Sequence, residues 1–258
     1  RVLQRSTIKK MKISLITCCY NSEKTITDTF LSIREQSFKN IELIVIDGNS
    51  SDKTKDIIQL NIDLIDLYIS EKDKGVYDAM NKGIKLSTGD IIGFLNSDDF
   101  FKSPFVLSEI IKTFETKSAD ITYGNMHYVK RDDINNIRRL WVSGQFKEKY
   151  FEDGWVPGHP TFYAKRSLYE RFGAFDLNFK LAADYELMLR FMNQPNLQIE
   201  YINKILVVMR LGGLTSGSLK NRYLQNLEIK KSWSKNNLKI PKLFMINKSI
   251  KKIKQFFK

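Results

Sequence analysis

The 258-residue chain has little cysteine, little histidine and no long apolar run. Its two cysteines, Cys18 and Cys19, are adjacent, so they cannot staple a fold and lack the spacing of a metal site. A reducing cytoplasm is therefore expected. The two histidines, His127 and His159, stand in contexts that give no Ser/His/Asp or Cys/His nucleophile arrangement. No stretch approaches 18 apolar residues, so no transmembrane helix is expected. Residues 13–16, which follow the basic first ten, have the length of a strand and not of a signal-peptide core. Met11 is the expected natural start, with 1–10 an upstream extension.

A net positive charge is also lacking where most of the chain lies. The formal net charge is +13, but residues 220–258 hold twelve Lys/Arg against one acid, Glu228, and residues 1–12 hold five bases and no acid. The remaining 13–219 carry 25 bases and 28 acids, a net −3. A near-neutral body argues against a nucleic-acid-binding core and assigns a charged surface element to the C-terminus.

What is present is an alternation of strand-like and helix-like segments. Strands are expected over 12–17, 41–46, 65–70 and 90–95. Between them lie helices over 25–36, after Ser51-Asp52, and over 76–86. This spacing predicts βαβ units and a mostly parallel sheet through about residue 100. Beyond Asp99 the rhythm changes. A helix near 104–114 is followed by strands over 121–130 and 137–142, a Gly/Pro-punctuated loop, and a short strand over 161–164. Helices near 165–172 and 184–192 then lead to a strand pair, 197–201 and 205–211. The fold class is α/β, a mixed and mostly parallel sheet flanked by helices.

The segment LSTGDIIGFLNSDD, residues 86–99, drives an apolar strand straight into Asn96-Ser97-Asp98-Asp99. Acidic residues at such a strand end sit where open α/β sheets bind ligands, and they suit a hard divalent cation or cap the next helix. Asp47 ends another apolar run and either accepts hydrogen bonds from a base or ribose or serves a turn. Asp78, Asn81 and Lys82 share one helical face, as ligand contacts or as a solvated surface. His159, between prolines, is a candidate ligand contact, whereas His127 reads as structural. Asp184 and Glu186 open a helix, either as acids suited to its dipole or with one acting as general base.

In order and spacing these segments resemble the family 2 glycosyltransferases, nucleotide-sugar-dependent inverting enzymes of the GT-A, Rossmann-like fold. Residues 13–17 with Tyr20-Asn21 look like the opening strand and nucleotide loop, and 45–54 like the second-strand signature. Gly48 stands where many members carry a second Asp. Asn96-Ser97-Asp98 occupies the place of the D-x-D motif. Residues 173–176 with Ala183-Asp184 match the later G-x-F-D and E-D region. Residues 75–83 with 95–99 look most like the subgroup building bacterial surface polysaccharides, of O-antigen, capsule or colanic acid type.

The resemblance implies a donor site of Thr17, Tyr20, Asn21, Asp47, Asp78, Asn81, Lys82, Asn96, Ser97 and Asp98. Asp98 would be the ligand of a divalent cation, Mn²⁺ or Mg²⁺, and Asp184 the general base. Asp99, His159, Arg210 and Gly213 would face the acceptor or diphosphate. The donor would be a UDP-hexose or UDP-N-acetylhexosamine, and the acceptor a saccharide on polyprenyl diphosphate. A Q-x-x-R-W signature is lacking, which argues against a processive synthase.

Four divisions are expected: the extension 1–10, a nucleotide-sugar half 11–100, an acceptor and catalytic half 101–216, and a basic helical extension 217–258. In the last, Leu243, Ile246, Ile250, Ile253 and Phe257 recur at helical spacing with lysines alongside, which suits an anionic membrane surface or packing on the domain. The expected place is peripheral, on the inner face of the cytoplasmic membrane, and a homo-oligomer stays open. Competing readings are a sugar-nucleotide nucleotidyltransferase, whose G-x-G-x-R loop is missing here, and a non-catalytic membrane or nucleic-acid adaptor.

Overall fold

A computed structural model describes residues 10–212 and 219–254. Strand β1 (Ile13–Cys19) and β2 (Ile41–Asp47) are buried along nearly their whole length because helices cover both faces of the sheet. Helices α1 (Ile26–Arg34), α2 (Thr54–Leu60) and α3 (Val76–Leu86) alternate with β3 (Leu67–Ser70) and β4 (Ile91–Phe94). The short β5 (Asp99–Phe101) and α4 (Val106–Lys117) lead into a long hairpin, β6 (Ile121–Lys130) and β7 (Asp133–Trp141). β8 (Tyr163–Lys165), α5 (Arg166–Phe172), α6 (Ala183–Met192), β9 (Ile199–Arg210), α7 (Leu219–Lys235) and α8 (Phe244–Lys254) complete the described chain.

The nine strands of the described residues form one sheet in the order β3-β2-β1-β4-β8-β6-β9-β5, with β7 on β6. β1 pairs in parallel with both β2 and β4, so the chain departs from β1 in opposite directions at a topological switch. A crevice opens at the carboxyl ends of such strands. Beyond β4 the sheet turns mixed: β8 is antiparallel to β4 and β6, while β9 runs parallel to β6. The expected strand pair over 197–211 is one continuous strand. Its register against β6 shifts near Gly124 and Asn125, and the irregularity is absorbed there without a turn.

Two apolar cores lie on the two faces. One packs α1, α2 and α4 on the sheet through Ile26, Phe30, Ile58, Leu107 and Phe114. The other packs α3, α5, α6, α7 and α8 through Met80, Tyr169, Phe191, Trp233 and Phe244. The basic C-terminal segment is thus docked on the body. Trp233 donates from Nε1 to the Tyr185 hydroxyl at 3.0 Å, and the Phe244 ring meets Trp233 at 5.4 Å.

Candidate active site

At the nucleoside corner, β1 and β2 end side by side. Thr17 is fully buried and its Oγ1 has no partner among the described residues. Asn21, at positive φ, turns the chain after β1; its N–H donates to Ser50 Oγ at 2.8 Å and its Oδ1 accepts from Ser51 N–H at 2.9 Å. Tyr20 projects outward, 64% exposed, as an open aromatic face. Asp47, expected to contact the nucleoside, is fully buried at the end of β2. It accepts hydrogen bonds from Ser50 N–H (3.1 Å), the Ser50 hydroxyl and the Ser70 hydroxyl (2.6 Å), so its carboxylate braces the loop.

A second carboxylate, the partly buried Asp73, lies beside this corner. A Cβ placed on Gly48 would lie 2.7 Å from Asp73 Oδ2 and 3.4 Å from the Tyr20 ring. Asp73, from the β3–α3 loop, therefore fills the volume where a side chain at position 48 would project. Its Oδ1 accepts the Gly75 N–H at 2.9 Å, which fixes the loop as it enters α3. Gly75 sits there at φ 121°, a backbone state that favours glycine.

The helical face expected to meet the donor is engaged within the protein. Asn81 donates from Nδ2 to the Phe175 carbonyl (2.8 Å) and accepts the Phe175 N–H at Oδ1 (2.9 Å), so both ends of its amide clamp the loop before α6. Asn81, expected to meet the donor, thus has a clamping role in the fold. Lys82 pairs with Glu71 at 2.8 Å and with Asp78 at 3.7 Å, and Asp78 also accepts the Lys74 N–H at 2.9 Å.

At the diphosphate corner, β4 delivers Asn96, Ser97 and Asp98. The Ser97 hydroxyl meets that of Ser22 at 2.8 Å. Asn96 donates to Asp99 Oδ2 at 3.1 Å, while Asp99 Oδ1, fully buried, has no partner among the described residues. Burial and the neighbouring Asp98 charge push the Asp99 carboxyl well above its ordinary range. Burial also raises Asp98, against the opposing pull of Arg131 and Arg210. Arg131 Nη1 stands 3.6 Å from Asp98 Oδ2. Arg210, expected to face substrate, is nearly buried: it donates to the Asp98 carbonyl at 2.9 Å and to Asp28, and lies over the Phe100 ring. Its guanidinium shapes the corner from behind. Gly213 lies outside the described residues.

The acceptor end is built on the first turn of α6. Of its two acids, Glu186 is fully buried and locked by Arg190 (3.0 Å), Lys235 (3.2 Å) and Asn236 (3.2 Å). Asp184 stays partly open and accepts a hydrogen bond from the Tyr77 hydroxyl at 3.0 Å. His159 lies between Phe94 and Phe175, with ring centroids 5.2 and 5.6 Å away, and its Nε2 has no partner among the described residues. Burial lowers its pKa against the nearby Asp184 charge, which keeps the imidazole neutral at pH 7. Tyr128 on β6 links the two corners. Burial, with the charges of Asp99 and Asp184, pushes its phenol up to about 12 against the pull of Arg139.

The model for glycosyl transferase family 2 matches residues 14–173. The chain belongs to this family. A PGL/p-HBAD biosynthesis glycosyltransferase of Mycobacterium bovis is 28% identical over 201 residues, 76% of each chain. An Escherichia coli relative is named UDP-Glc:alpha-D-GlcNAc-diphosphoundecaprenol beta-1,3-glucosyltransferase WfaP. It is 35% identical over 123 residues, 47% of this chain and 48% of its own. The S. aureus TarS 1-349 structure, in complex with UDP-GlcNAc, aligns at TM-score 0.70 and 19% identity over 92% of this chain and 72% of that one. The protein is a glycosyltransferase, and its sheet and flanking helices form the GT-A fold.

Several residues of this glycosyltransferase's cleft escape a sequence reading. Tyr77 lies four positions before Asn81, so helical spacing places it on the same face. Asp73 and Arg131 carry no local pattern, because loops bring them to Gly48 and Asp98. Glu228, the one acid of the basic tail, accepts the backbone N–H groups of Lys180, Leu181 and Ala182 at 2.8–2.9 Å. It thereby holds the chain that leads into Asp184.

Proposed function

We propose that the protein is an inverting glycosyltransferase that moves a hexose or N-acetylhexosamine from a UDP-sugar to a hydroxyl of a saccharide carried on polyprenyl diphosphate. The reaction takes place at the inner face of the cytoplasmic membrane and contributes to a bacterial surface polysaccharide. The observation that carries this reading is the contrast within the first turn of α6. Glu186 is buried and locked, whereas Asp184 is partly exposed and held at Oδ1 by Tyr77. The diphosphoundecaprenol-linked acceptor in the name of the WfaP relative supports the lipid-linked acceptor, and the UDP-GlcNAc in the TarS complex supports the donor class.

In this reading Asp184 takes the proton of the acceptor hydroxyl as that oxygen attacks the anomeric carbon. The new C–O bond forms on the face opposite the departing diphosphate, so one displacement inverts the centre. Tyr20 offers a ring for the base and Asp73 a carboxylate for its edge. His159 offers a neutral ring nitrogen toward a sugar hydroxyl.

The residues fit a divalent cation, Mn²⁺ or Mg²⁺. Among the described residues no group of three or more His, Cys, Asp or Glu forms a cage. The unpartnered Asp99 oxygen and the partly exposed Asp98 instead offer the one or two carboxylates such ions take when substrate phosphates complete the shell. When bound there, the ion supplies Lewis-acid stabilisation of the leaving diphosphate. Arg131 adds a fixed positive charge at the same corner.

The test is release of nucleoside diphosphate from a panel of UDP- and GDP-sugars with Mn²⁺ or Mg²⁺. Each is run with and without a lipid-diphosphate GlcNAc or GalNAc acceptor, beside Asp98→Ala. Acceptor-stimulated release from one UDP-sugar, lost in Asp98→Ala, is expected. Stimulation by a GDP-sugar alone, or full activity of Asp98→Ala, would overturn the donor or the metal assignment.

A further inference from the structure

Helix α8 sits on the body through Phe244 and the partly buried Met245, yet leaves a further apolar stripe outside. The side it turns inward carries Phe244, which is 1% exposed, together with Lys248 and Lys251. Lys248 donates from Nζ to Asn226 Oδ1 on α7 at 3.0 Å, and its backbone runs so close to Gly154 that a Cβ there would clash. The Lys251 ammonium lies over the Tyr150 ring, 4.8 Å from its centroid. The outward side carries the apolar stripe, with Leu243 60%, Ile246 57% and Ile250 46% exposed. A helix that only packed on a water-soluble domain would bury this stripe and leave its lysines in water.

The neighbouring α7 also turns large apolar side chains outward: Tyr223, Leu224 and Leu227. On the two helices and the segment joining them the exposed charge has one sign, from Lys220, Arg222, Lys230, Lys239 and Lys242, while the exposed acids Glu152 and Asp153 belong to the turn of the body on which α8 packs. The single acid of this segment, Glu228, is turned away to hold the start of α6. Apolar side chains rimmed by cations, without an exposed acid among the described residues of the segment, complement an anionic bilayer. The apolar stripe enters the headgroup boundary while the cations meet lipid phosphates. A second copy of the chain is the weaker match, because two such faces would bring like charges together.

We propose that α7 and α8 form one docking surface for an anionic membrane, with the domain anchored by Phe244 and Trp233 and the Leu243–Ile246–Ile250 stripe lying in the lipid interface. The purpose of this surface rests on the lipid-linked acceptor proposed above, but its binding to lipid does not. Because α7 also supplies Glu228 to the loop before Asp184, membrane docking and the acceptor end share one element.

Flotation of the full chain with acceptor-free vesicles tests the proposal. Phosphatidylglycerol/phosphatidylcholine vesicles are compared with phosphatidylcholine alone, using wild type and the triple variant Leu243→Glu/Ile246→Glu/Ile250→Glu. These positions are exposed, so thermal melting and UDP binding check that the variant is folded. The expected result is binding to anionic vesicles that falls with salt and is about tenfold or more weaker in the triple variant. Equal partitioning of wild type and variant, or no preference for the anionic vesicles, would overturn it. So would a wild-type dimer that ignores vesicles and becomes monomeric in the variant. Vesicle binding without sugar transfer would instead fault the acceptor reading and leave the surface in place.

Discussion

The hydroxyl of Tyr77 donates a hydrogen bond to Oδ1 of Asp184 across 3.0 Å, joining α3 to α6 over 107 positions of sequence. Burial and the Asp184 charge push the Tyr77 phenol well above its ordinary value, so it remains a proton-bearing donor at every working pH. Its ring packs on Phe175 at 5.4 Å, and Phe175 is the residue whose backbone Asn81 clamps. Three side chains therefore fix one carboxylate oxygen in place.

Tyr77→Phe keeps the ring and removes the donor. We expect kcat to fall about ten- to a hundredfold, the worth of a hydrogen bond to a charged group, with the donor KM unchanged. A loss confined to KM would show that Tyr77 acts on donor binding.

Asp184→Asn retains the shape and loses the basicity. Transfer should drop about 10²–10⁴-fold while UDP affinity, measured by calorimetry, stays within twofold. Undiminished transfer would remove Asp184 from the reaction and send attention back to the acceptor end.

Asp73→Ala probes the carboxylate that occupies the space beside Gly48. The expected effect is UDP affinity about tenfold weaker, the worth of a hydrogen bond to a charged group. Asp47→Ala, by contrast, should lower the melting temperature, since it frees Ser50 and Ser70 from their common acceptor. Binding of UDP by Asp73→Ala as tight as wild type would count against Asp73.

Asn81→Ala leaves the Phe175 N–H and carbonyl without their partner. A loss of about 1–3 kcal/mol in unfolding free energy is expected from urea titration. Wild-type stability would mean that water replaces the amide fully.

Glu42 makes acid stability testable far from the cleft. Burial acts to raise its pKa, but hydrogen bonds from Ser14, from the Thr88 hydroxyl and amide and from Lys12 outweigh it, and the value falls to about 2. A carboxylate depressed in the folded state stabilises fully above its ordinary 4.5, and that contribution fades as pH drops toward 2. Melting temperatures recorded between pH 6 and 2.5 should therefore decline less steeply in Glu42→Gln than in wild type.

The sequence alone determined what local chemistry determines. Apolar runs at strand length, helical spacing between them and polar residues at their ends made the parallel half of the sheet legible, together with the positions of Asn96, Asp98 and Asp184. A fully buried strand needs apolar residues on both faces, and β1, β2 and β4 have them. Tertiary structure decided which polar groups are engaged within the fold. Asp47 and Asp73, or Glu186 and Asp184, are the same chemistry in a string of letters. Only folding supplies Ser50 and Ser70 to one acid, Arg190 and Lys235 to another, and leaves the remaining two partly exposed. The same holds for α8: periodicity gives a stripe, but packing of Phe244, Lys248 and Lys251 against the body decides that the stripe faces outward. Hydrogen-bond partners and burial are set by residues distant in sequence, so spacing gives the candidates and packing chooses among them.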